Sequence, residues 1–413
     1  MTKTNGEIFD LLVIGGGAAG FFGAINAAMR KPSLKILILE KSTKLLSKVR
    51  ISGGGRCNVT HHCFGATPLS KHYPRGQKEL KKLFCEFDAK DTVAWFQKIG
   101  VEVIAEDDGR MFPITDNSET IIEAFLKETQ AFNIIIKTSC GVSSIKPQQG
   151  VFHIECENGG KFMSQKVLVA MGGHPQPSAY SFIQKTGHTI IPPIPSLFTF
   201  NDPGKKFNDL MGVAVQEATV KIAGTKFSDQ GPVLITHWGL SGPAVIRLSS
   251  WAAEYLHEKK YEFIALINWT GSLGEEEVRH VLLLQKENST KKKIRGNALF
   301  NVPARLWERL TNMAEFNESI PWGEASQKKI NRLVELLVRC PFSIKGKTTF
   351  KEEFVTCGGV ELKEIDLETM ESKILPGLYF AGEVMNIDGE TGGFNFQAAW
   401  TSAWVAARDI ASG

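Results

Sequence analysis

The chain has 413 residues, with 48 lysine and arginine residues against 44 aspartate and glutamate residues, and a formal net charge of +4. Its length predicts two or three domains. The near balance of charge argues against a nucleic-acid or membrane partner. Seven cysteines without a CxxC pair exclude a disulfide framework. Together with a start that lacks a signal-peptide pattern, they lead us to expect a cytoplasmic protein.

The first elements predict a nucleotide-binding unit. Residues 9–14 (FDLLVI) predict a strand, GGGAAG at 15–20 predicts a turn, and the small residues after it predict a helix to about Arg30. Residues 35–40 (KILILE) predict a second strand that ends at Glu40. The spacing fits the dinucleotide fingerprint GxGxxG with a later acid. Residues 11–29 carry no charge, but their clustered glycines argue against a membrane span.

Each residue of this fingerprint has a separate physical role. Gly15 permits a tight turn, Gly17 lets the backbone approach a pyrophosphate, and Gly20 lets the helix pack closely. The free N–H groups at the helix N-terminus face the phosphates. Glu40 would accept hydrogen bonds from a ribose diol and would disfavour a 2′-phosphate. At this point both FAD and NAD remain open.

The segment RISGGGRCNVTHHC (50–63) combines glycines with cysteines and histidines. The spacing C-x3-H-H-C matches no tetrahedral metal pattern, so a zinc site is disfavoured. Cys57 has no partner at CxxC spacing, which disfavours a redox thiol. The remaining interpretation is a bare glycine backbone that approaches a phosphate, with Arg56 meeting negative charge.

The middle of the chain changes character. Short β-branched and aromatic runs between 190 and 270 predict an antiparallel, barrel-like β domain, and three amphipathic patterns between 273 and 339 predict helices. Strands are predicted again over 349–362. We therefore expect an α/β protein with a Rossmann-like FAD domain on a parallel sheet (1–190 and 358–413). A β domain (191–271 and 336–357) interrupts it and carries a helical insert (272–335), and the substrate cleft is expected at the domain interface.

The C-terminal stretch 377–411 favours FAD over NAD. LYFAGE predicts a strand, a loop bears Asp388, and a helix follows Gly393 with an aromatic stripe typical of core packing. Its N-terminus, aimed at flavin N1 and O2, would stabilise negative charge on the reduced flavin. Two nucleotide-facing elements at opposite ends of the chain fit an extended FAD. Because GxGxxG does not recur, NADH or NADPH would dock only transiently.

Six segments resemble the bacterial FAD-binding oxidoreductases that include aminoacetone oxidase and a bile-acid flavin reductase, within the two-dinucleotide-binding-domain flavoproteins. The segments are GGGAAG (15–20), EKSTKLLSKVRISGGGRCNVTH (40–61), AMGGHPQP (170–177), THWGLSGPAVIRLS (236–249), VTCGGVELKEID (355–366) and PGLYFAGEVMNIDGETGGFNFQAAW (376–400). The chain departs from the family's ATGG at Met171 and from a following glycine-rich segment at 178–182.

The fingerprint and the resemblance together imply a set of FAD-contacting residues. They are Gly15, Gly17, Ala18, Ala19, Gly20, Glu40, Lys41, Arg50, Gly54, Gly55, Arg56, Cys57, Asn58, Val142, Ala170, Met171, Gly172, Gly382, Glu383, Asp388, Gly393, Phe394 and Asn395.

The expected activity is hydride transfer between FAD and a small organic substrate, with NAD(P)H or dioxygen as the other redox partner. Amines, amino-ketones and enones stay open as substrates. His237, at a strand end of the β domain, is the candidate proton donor, and Arg110 could hold an anionic substrate. The alternatives are an FAD-dependent RNA-modifying enzyme, which needs a sizeable basic face, and a flavin-binding protein without turnover.

Overall fold

A computed structural model describes residues 7–348 and 355–413. The chain divides into two compact units. The first contains the described residues up to Ser196 together with the chain from Val355 onward, and the second runs from Leu197 to Thr348. The second unit therefore interrupts the first in sequence.

The helices and strands follow one another along the whole described chain. The strands are β1 (Ile8–Ile14), β2 (Ile36–Leu39), β3 (Thr60–His61), β4 (Val103–Ala105), β5 (Arg110–Pro113), β6 (Ile135–Lys137), β7 (Val142–Gln148), β8 (Val151–Cys156), β9 (Lys161–Val169), β10 (Ile190–Ser196), β11 (Thr199–Asn201), β12 (Ala214–Ile222), β13 (Ser228–Ile235), β14 (Gly239–Ser241), β15 (Glu262–Asn268), β16 (Cys340–Lys345), β17 (Lys347–Thr348), β18 (Val355–Val360) and β19 (Leu378–Phe380). The helices are α1 (Ala18–Arg30), α2 (Ser47–Gly55), α3 (Ala66–Ser70), α4 (Gln77–Leu83), α5 (Ala89–Lys98), α6 (Glu119–Ala131), α7 (Ser181–Gln184), α8 (Pro243–Trp251), α9 (Ala253–Glu258), α10 (Glu275–Asn288), α11 (Ala304–Met313), α12 (Gln327–Val338) and α13 (Phe394–Ser412).

The main sheet of the first unit is largely parallel. Its order is β6-β2-β1-β9-β8-β7, and β19 also pairs with β9. Strands β6, β2, β1, β9 and β19 run parallel, whereas β7 and β8 form an antiparallel extension. The four residues of β2 (ILIL) are all buried, as expected for a parallel strand covered on both faces. The sequence predicted β1, α1 and β2, and the structure confirms them within one residue.

Helices α1 and α13 pack against each other beside this sheet. The predicted aromatic stripe of α13 is core packing. Trp400 is fully buried against Phe22 and Phe96, and Trp404 stacks on Phe87. In the part of the chain that the structure describes, no helix is long and apolar enough to span a membrane.

Two smaller sheets complete the first unit. Strands β3, β5 and β4 form an antiparallel sheet of three. Strand β10 pairs with β18 in antiparallel register, with Ser196 opposite Val355. The first unit thus includes β10, and it ends six residues beyond the boundary expected at 190.

The second unit is a curled antiparallel sheet with helices. The strand order is β16-β15-β12-β13-β14-β11-β17. Strands β16 and β17 lie at opposite ends of this order, yet only Gly346 separates them along the chain. The sheet must therefore curl until its two ends meet, as in a barrel. Helices α10, α11 and α12 pack together and bury Trp307 and Trp322.

Two expectations for the middle of the chain need correction or a limit. Residues 243–258 were expected to belong to an all-β region, but they form α8 and α9. Pro243 starts α8, where its missing N–H costs no hydrogen bond, and Ala244, Val245 and Leu248 supply a buried helical face. Of the strands predicted over 349–362, residues 349–354 lie outside the described residues, and β18 covers 355–360.

Candidate FAD site

The turn between β1 and α1 requires glycine at two of its positions. Gly15 has a φ of +111°, and a Cβ there would lie 2.4 Å from the Ala170 carbonyl oxygen. A Cβ on Gly20 would lie 1.9 Å from the carbonyl oxygen of Gly15. The turn is therefore packed from inside by the end of β9 and by α1 itself, which matches the roles predicted for these two glycines.

Gly17 differs from both, because a Cβ there would meet no atom within 4 Å. Gly17 is the N-cap of α1, and no side chain caps this end of the helix. The first helical residues, Ala18 and Ala19, are small. A bare backbone and uncapped N–H groups at a helix N-terminus form an anion site that fits the pyrophosphate of FAD.

Glu40 lies where the fingerprint requires an acid, directly after β2. Its carboxylate accepts hydrogen bonds from the backbone N–H of Gly16 and of Ser42, both at 2.8 Å. Carboxylate oxygens have further lone pairs, so this position remains suited to a ribose diol. The neighbouring Lys41 is exposed, and its Nζ lies 3.9 Å from Glu157.

The glycine run at the C-terminal end of α2 has an unusual backbone. Ser52 leaves the helical conformation, and Gly53, Gly54 and Gly55 have φ values of +59°, +73° and +89°. A Cβ on Gly54 would meet no atom within 4 Å. Arg50, at the start of the run, forms an ion pair with Glu119. The expected bare backbone is present, with open space on one side of it.

Arg56 is engaged differently from the expectation. Its Nη1 lies 2.7 Å from Glu106 and 3.2 Å from Asp116, its Nε donates to the Gly53 carbonyl, and the guanidinium stacks over Phe112. Two carboxylates already balance the charge that was expected to meet a phosphate. Arg56 therefore stabilises the glycine run through its hydrogen bond to the Gly53 carbonyl.

The side chain of Cys57 is fully buried, and burial raises the pKa of its thiol to about 12. The place of Cys57 among the FAD-contacting residues stays a prediction. The amide oxygen of Asn58 accepts a hydrogen bond from Met111 N at 3.3 Å. A Cβ on Gly393 would lie 2.9 Å from this oxygen, so Asn58 and the start of α13 are neighbours.

The segment directly after β9 contributes a third open glycine. Ala170 hydrogen-bonds to the strand partner Ile14, Met171 is partly buried, and Gly172 has a φ of +74° with no atom within 4 Å of a Cβ. Val142 begins β7 opposite Cys156. These positions stay predicted contacts of the adenosine half.

The C-terminal candidate residues surround the start of α13. Gly382 donates its N–H to Ser402 Oγ at 2.9 Å, and a Cβ there would lie 3.0 Å from that of Ala19. Glu383 pairs with Lys48 at 2.7 Å and accepts from Thr356 N. The structure thus brings β19 and the loop after it beside the glycine turn at the other end of the chain.

Asp388, Phe394 and Asn395 have partners that the sequence did not indicate. Asn395 exchanges two hydrogen bonds of 2.9 Å with the backbone of Gly389. Arg75 forms a buried ion pair with Asp388, and the Tyr73 hydroxyl donates to the Phe394 carbonyl at 2.7 Å. The residues of segment 72–75 lie more than 300 positions before their partners, so no local pattern could have identified them.

His237 and Arg110 lie in different units of the chain. His237 lies in the second unit, exposed in the turn between β13 and β14, with its ring against Trp238. Arg110 pairs with Asp108 and Glu106. Within residues 7–348 and 355–413, no group of three or more side chains forms a candidate metal site.

Comparison with known proteins identifies the family of this chain. Residues 9–409 match the family described as the HI0933-like protein Rossmann domain. The chain belongs to this family. Its members are FAD-binding oxidoreductases, so FAD is the cofactor and the protein is a flavoprotein enzyme.

Two curated relatives cover nearly the whole chain. A ribosomal RNA dihydrouridine synthase of Escherichia coli is 29% identical over 98% of each chain. A 3-dehydro-bile acid delta(4,6)-reductase of Clostridium scindens is 26% identical over 97% of this chain and 98% of the relative. A solved 3-ketosteroid-delta4-(5alpha)-dehydrogenase of Rhodococcus jostii is 12% identical over 99% of both chains with a TM-score of 0.50, which shows a shared fold only.

Proposed function

We propose that this flavoenzyme reduces a carbon–carbon double bond conjugated to a carbonyl group, and that its substrate is a uracil base in ribosomal RNA. The match to ribosomal RNA dihydrouridine synthases over 98% of the chain carries this proposal. The names of both kinds of relative describe reductions of such bonds. A conjugated double bond accepts hydride at the carbon farther from the carbonyl, and its neighbour then takes a proton.

The distribution of charge supports a nucleic-acid substrate. Residues 197–350 contain 21 lysine and arginine residues against 16 aspartate and glutamate residues, a net charge of +5, and the rest of the chain carries −1. Lys291, Lys292 and Lys293 are all exposed. The net charge of +4 for the whole chain hides this difference between its two parts. Basic side chains that contact phosphates displace counterions from the nucleic acid, and this release favours binding.

The residues of the chain have distinct proposed roles. The bare turn at Gly17 and the N-terminus of α1 hold the pyrophosphate, and Glu40 holds the ribose. When bound, FAD supplies the hydride. His237 is the proposed proton donor, because it is exposed at a strand end of the second unit and an imidazole can donate a proton in general acid catalysis. NADH or NADPH is the proposed reductant.

The test is reduction of unmodified ribosomal RNA. Protein reconstituted with FAD is incubated with an in vitro transcript and NADPH or NADH, and the digested nucleosides are analysed by mass spectrometry. Dihydrouridine at a defined position is the expected product. His237→Gln should lower the rate by about 100-fold or more while FAD content stays unchanged. Reduction of free steroid enones with no product from RNA would overturn the RNA assignment.

A matched pair of variants separates RNA binding from chemistry. Replacing Lys291, Lys292 and Lys293 together by glutamine should weaken RNA binding and lower its salt dependence. The same change at Lys78, Lys81 and Lys82, exposed lysines of α4 in the first unit, is the control and should have a smaller effect. Equal effects of the two triple variants would contradict a binding role for the second unit.

A small-molecule enone is the second candidate substrate. The 26% identity to a bile acid reductase over 97% of this chain favours it. Steroid enones therefore form the second arm of the same assay. Reduction that is insensitive to salt would identify this arm, because only phosphate contacts release counterions.

A further inference from the structure

The loop from Asp388 to Phe394, which leads into α13, is held by one short segment of the chain, residues 72–75. Arg75 Nε donates to Asp388 Oδ1 at 2.6 Å, and a second guanidinium nitrogen bonds Oδ2. Ser196 Oγ donates to the same Oδ2 at 2.7 Å. The carboxylate of Asp388 is completely buried, and Arg75 is 11% exposed. This is a bidentate, desolvated ion pair.

The other residues of the segment contact the same loop. The backbone of His72 accepts from Glu390 N, and its ring nitrogen Nδ1 lies 2.9 Å from the Glu390 carboxylate. Tyr73 binds the Phe394 carbonyl. His72, Tyr73 and Arg75 thus each contact the loop that leads into α13 or its first residue.

We propose that Arg75 is a positioning residue that neutralises Asp388, so that the positive end of α13 remains available to a bound flavin. This inference rests on the proposed flavin chemistry and on the expectation from the sequence that the start of α13 faces the flavin ring. It does not depend on which substrate is reduced.

The electrostatic argument follows from the helix. Helix α13 has 19 residues, and no side chain caps its N-terminus, so free N–H groups and about half a positive charge remain there. Gly389, next to Asp388, is bonded to Asn395 in the first turn. An unpaired carboxylate this close would offset the positive end of the helix. Paired with Arg75, it contributes no net charge.

The pair also fixes the protonation of the carboxyl group. Burial raises the pKa of Asp388, and the charge and hydrogen bonds of Arg75 oppose this effect. The Ser196 hydroxyl also lowers this pKa, and the carboxylate of Glu383 raises it. Without Arg75, Asp388 would therefore take up a proton at a higher pH.

The test is the sign of the change in flavin midpoint potential, measured by equilibration with a reference dye in the absence of substrate. At alkaline pH, Arg75→Gln leaves a negative charge and should lower the reduced-to-oxidised ratio about tenfold, or about 30 mV for a two-electron couple. Asp388→Asn leaves a positive charge and should raise the ratio. The double variant should return close to wild type. The Arg75→Gln potential should approach that of the double variant as the pH falls.

Two controls keep the test decisive. Arg247→Gln removes a comparable bidentate pair with Asp229 in the second unit (2.8 and 3.1 Å) and should leave the potential unchanged. Arg75→Lys keeps the charge with poorer geometry and should stay nearer to wild type than Arg75→Gln.

If Arg75→Gln fails to retain FAD, the signs for Asp388→Asn and Arg75→Lys decide. Shifts of the same sign for Arg75→Gln and Asp388→Asn, or no shift in the variants that retain FAD, would overturn the proposal. Failure to reduce RNA would not affect it.

Discussion

The glycine turn at residues 15–20 and the loop at residues 388–394 are built in opposite ways. In the turn, backbone atoms of the turn itself and of the end of β9 pack closely around Gly15 and Gly20. The loop depends on side chains from a segment more than 300 residues earlier, which hold Asp388, Glu390 and Phe394. Local geometry shapes one part of the site, and long-range polar contacts shape the other.

This difference predicts which substitutions affect folding and which affect only the ligand. A residue that packs the turn from inside cannot gain a side chain without moving backbone atoms. A residue that faces open space can gain a side chain without moving backbone atoms. Polar contacts that hold the other loop should each contribute a moderate amount to stability, and some should depend on pH.

The largest effect is expected within the turn itself. Gly20→Ala places a Cβ 1.9 Å from a backbone oxygen and should lower the free energy of unfolding by at least about 2 kcal/mol. Gly17→Ala meets no protein atom and should change it by less than about 1 kcal/mol, yet weaken FAD binding about tenfold or more. Denaturant unfolding and FAD titration measure the two effects. Full FAD retention by Gly17→Ala would contradict the distinction between a glycine that packs the turn and one that faces the ligand.

A moderate effect is expected at Tyr73. Tyr73→Phe removes the buried donor to the Phe394 carbonyl and should cost about 1–3 kcal/mol in the free energy of unfolding, because a buried acceptor loses its partner. Tyr255→Phe, at a partly buried tyrosine of the second unit, is the control and should cost less. Equal costs would show that the loop does not depend on this contact.

The smallest effect is a pH dependence confined to the loop. Burial lowers the pKa of His61 from its ordinary 6.5, and the hydrogen bond to the Gly392 carbonyl opposes this only in part. His72 and His62 lower this pKa further, and Asp108 raises it. The folded state therefore favours neutral His61, so its contribution to stability is present above pH 6.5 and is lost as the pH falls below it.

Hydrogen exchange can detect this loss. Once corrected for intrinsic rates, exchange of the amides at 389–394 should accelerate between pH 7.5 and 5.5, and that of the amides at 15–20 should change less. His61→Gln should remove part of the difference. Equal acceleration in both regions would place the pH dependence elsewhere in the first unit.

The same contrast explains how much could be predicted from the sequence. The strand, turn, helix and acid at residues 9–40 are a local pattern, and each element was predicted where it occurs. Helices α10, α11 and α12 were equally clear, since each has an amphipathic period. Helices α8 and α9 were missed because short β-rich segments surround them in the sequence.

The site was predictable only where the backbone makes it. The glycines at 17, 54 and 172 were identified, and each faces open space. Arg56 was expected to meet a phosphate because its charge was read without its partners, Glu106 and Asp116, which lie 50 and 60 residues later. Arg75 was missed for the same reason, since a lone arginine becomes informative only beside the aspartate that folding brings to it.

The pairing of β10 with β18 has an evolutionary consequence. Ser196 and Val355 lie opposite each other in one ladder, and partners in such a ladder have Cα atoms about 5 Å apart. The chain therefore leaves the first unit and returns to it at almost the same point. A segment of any length or fold could occupy that gap without disturbing the host, since closing a longer loop costs little more. One cofactor platform could thus exchange its inserted module and acquire new substrates while its redox chemistry stays the same.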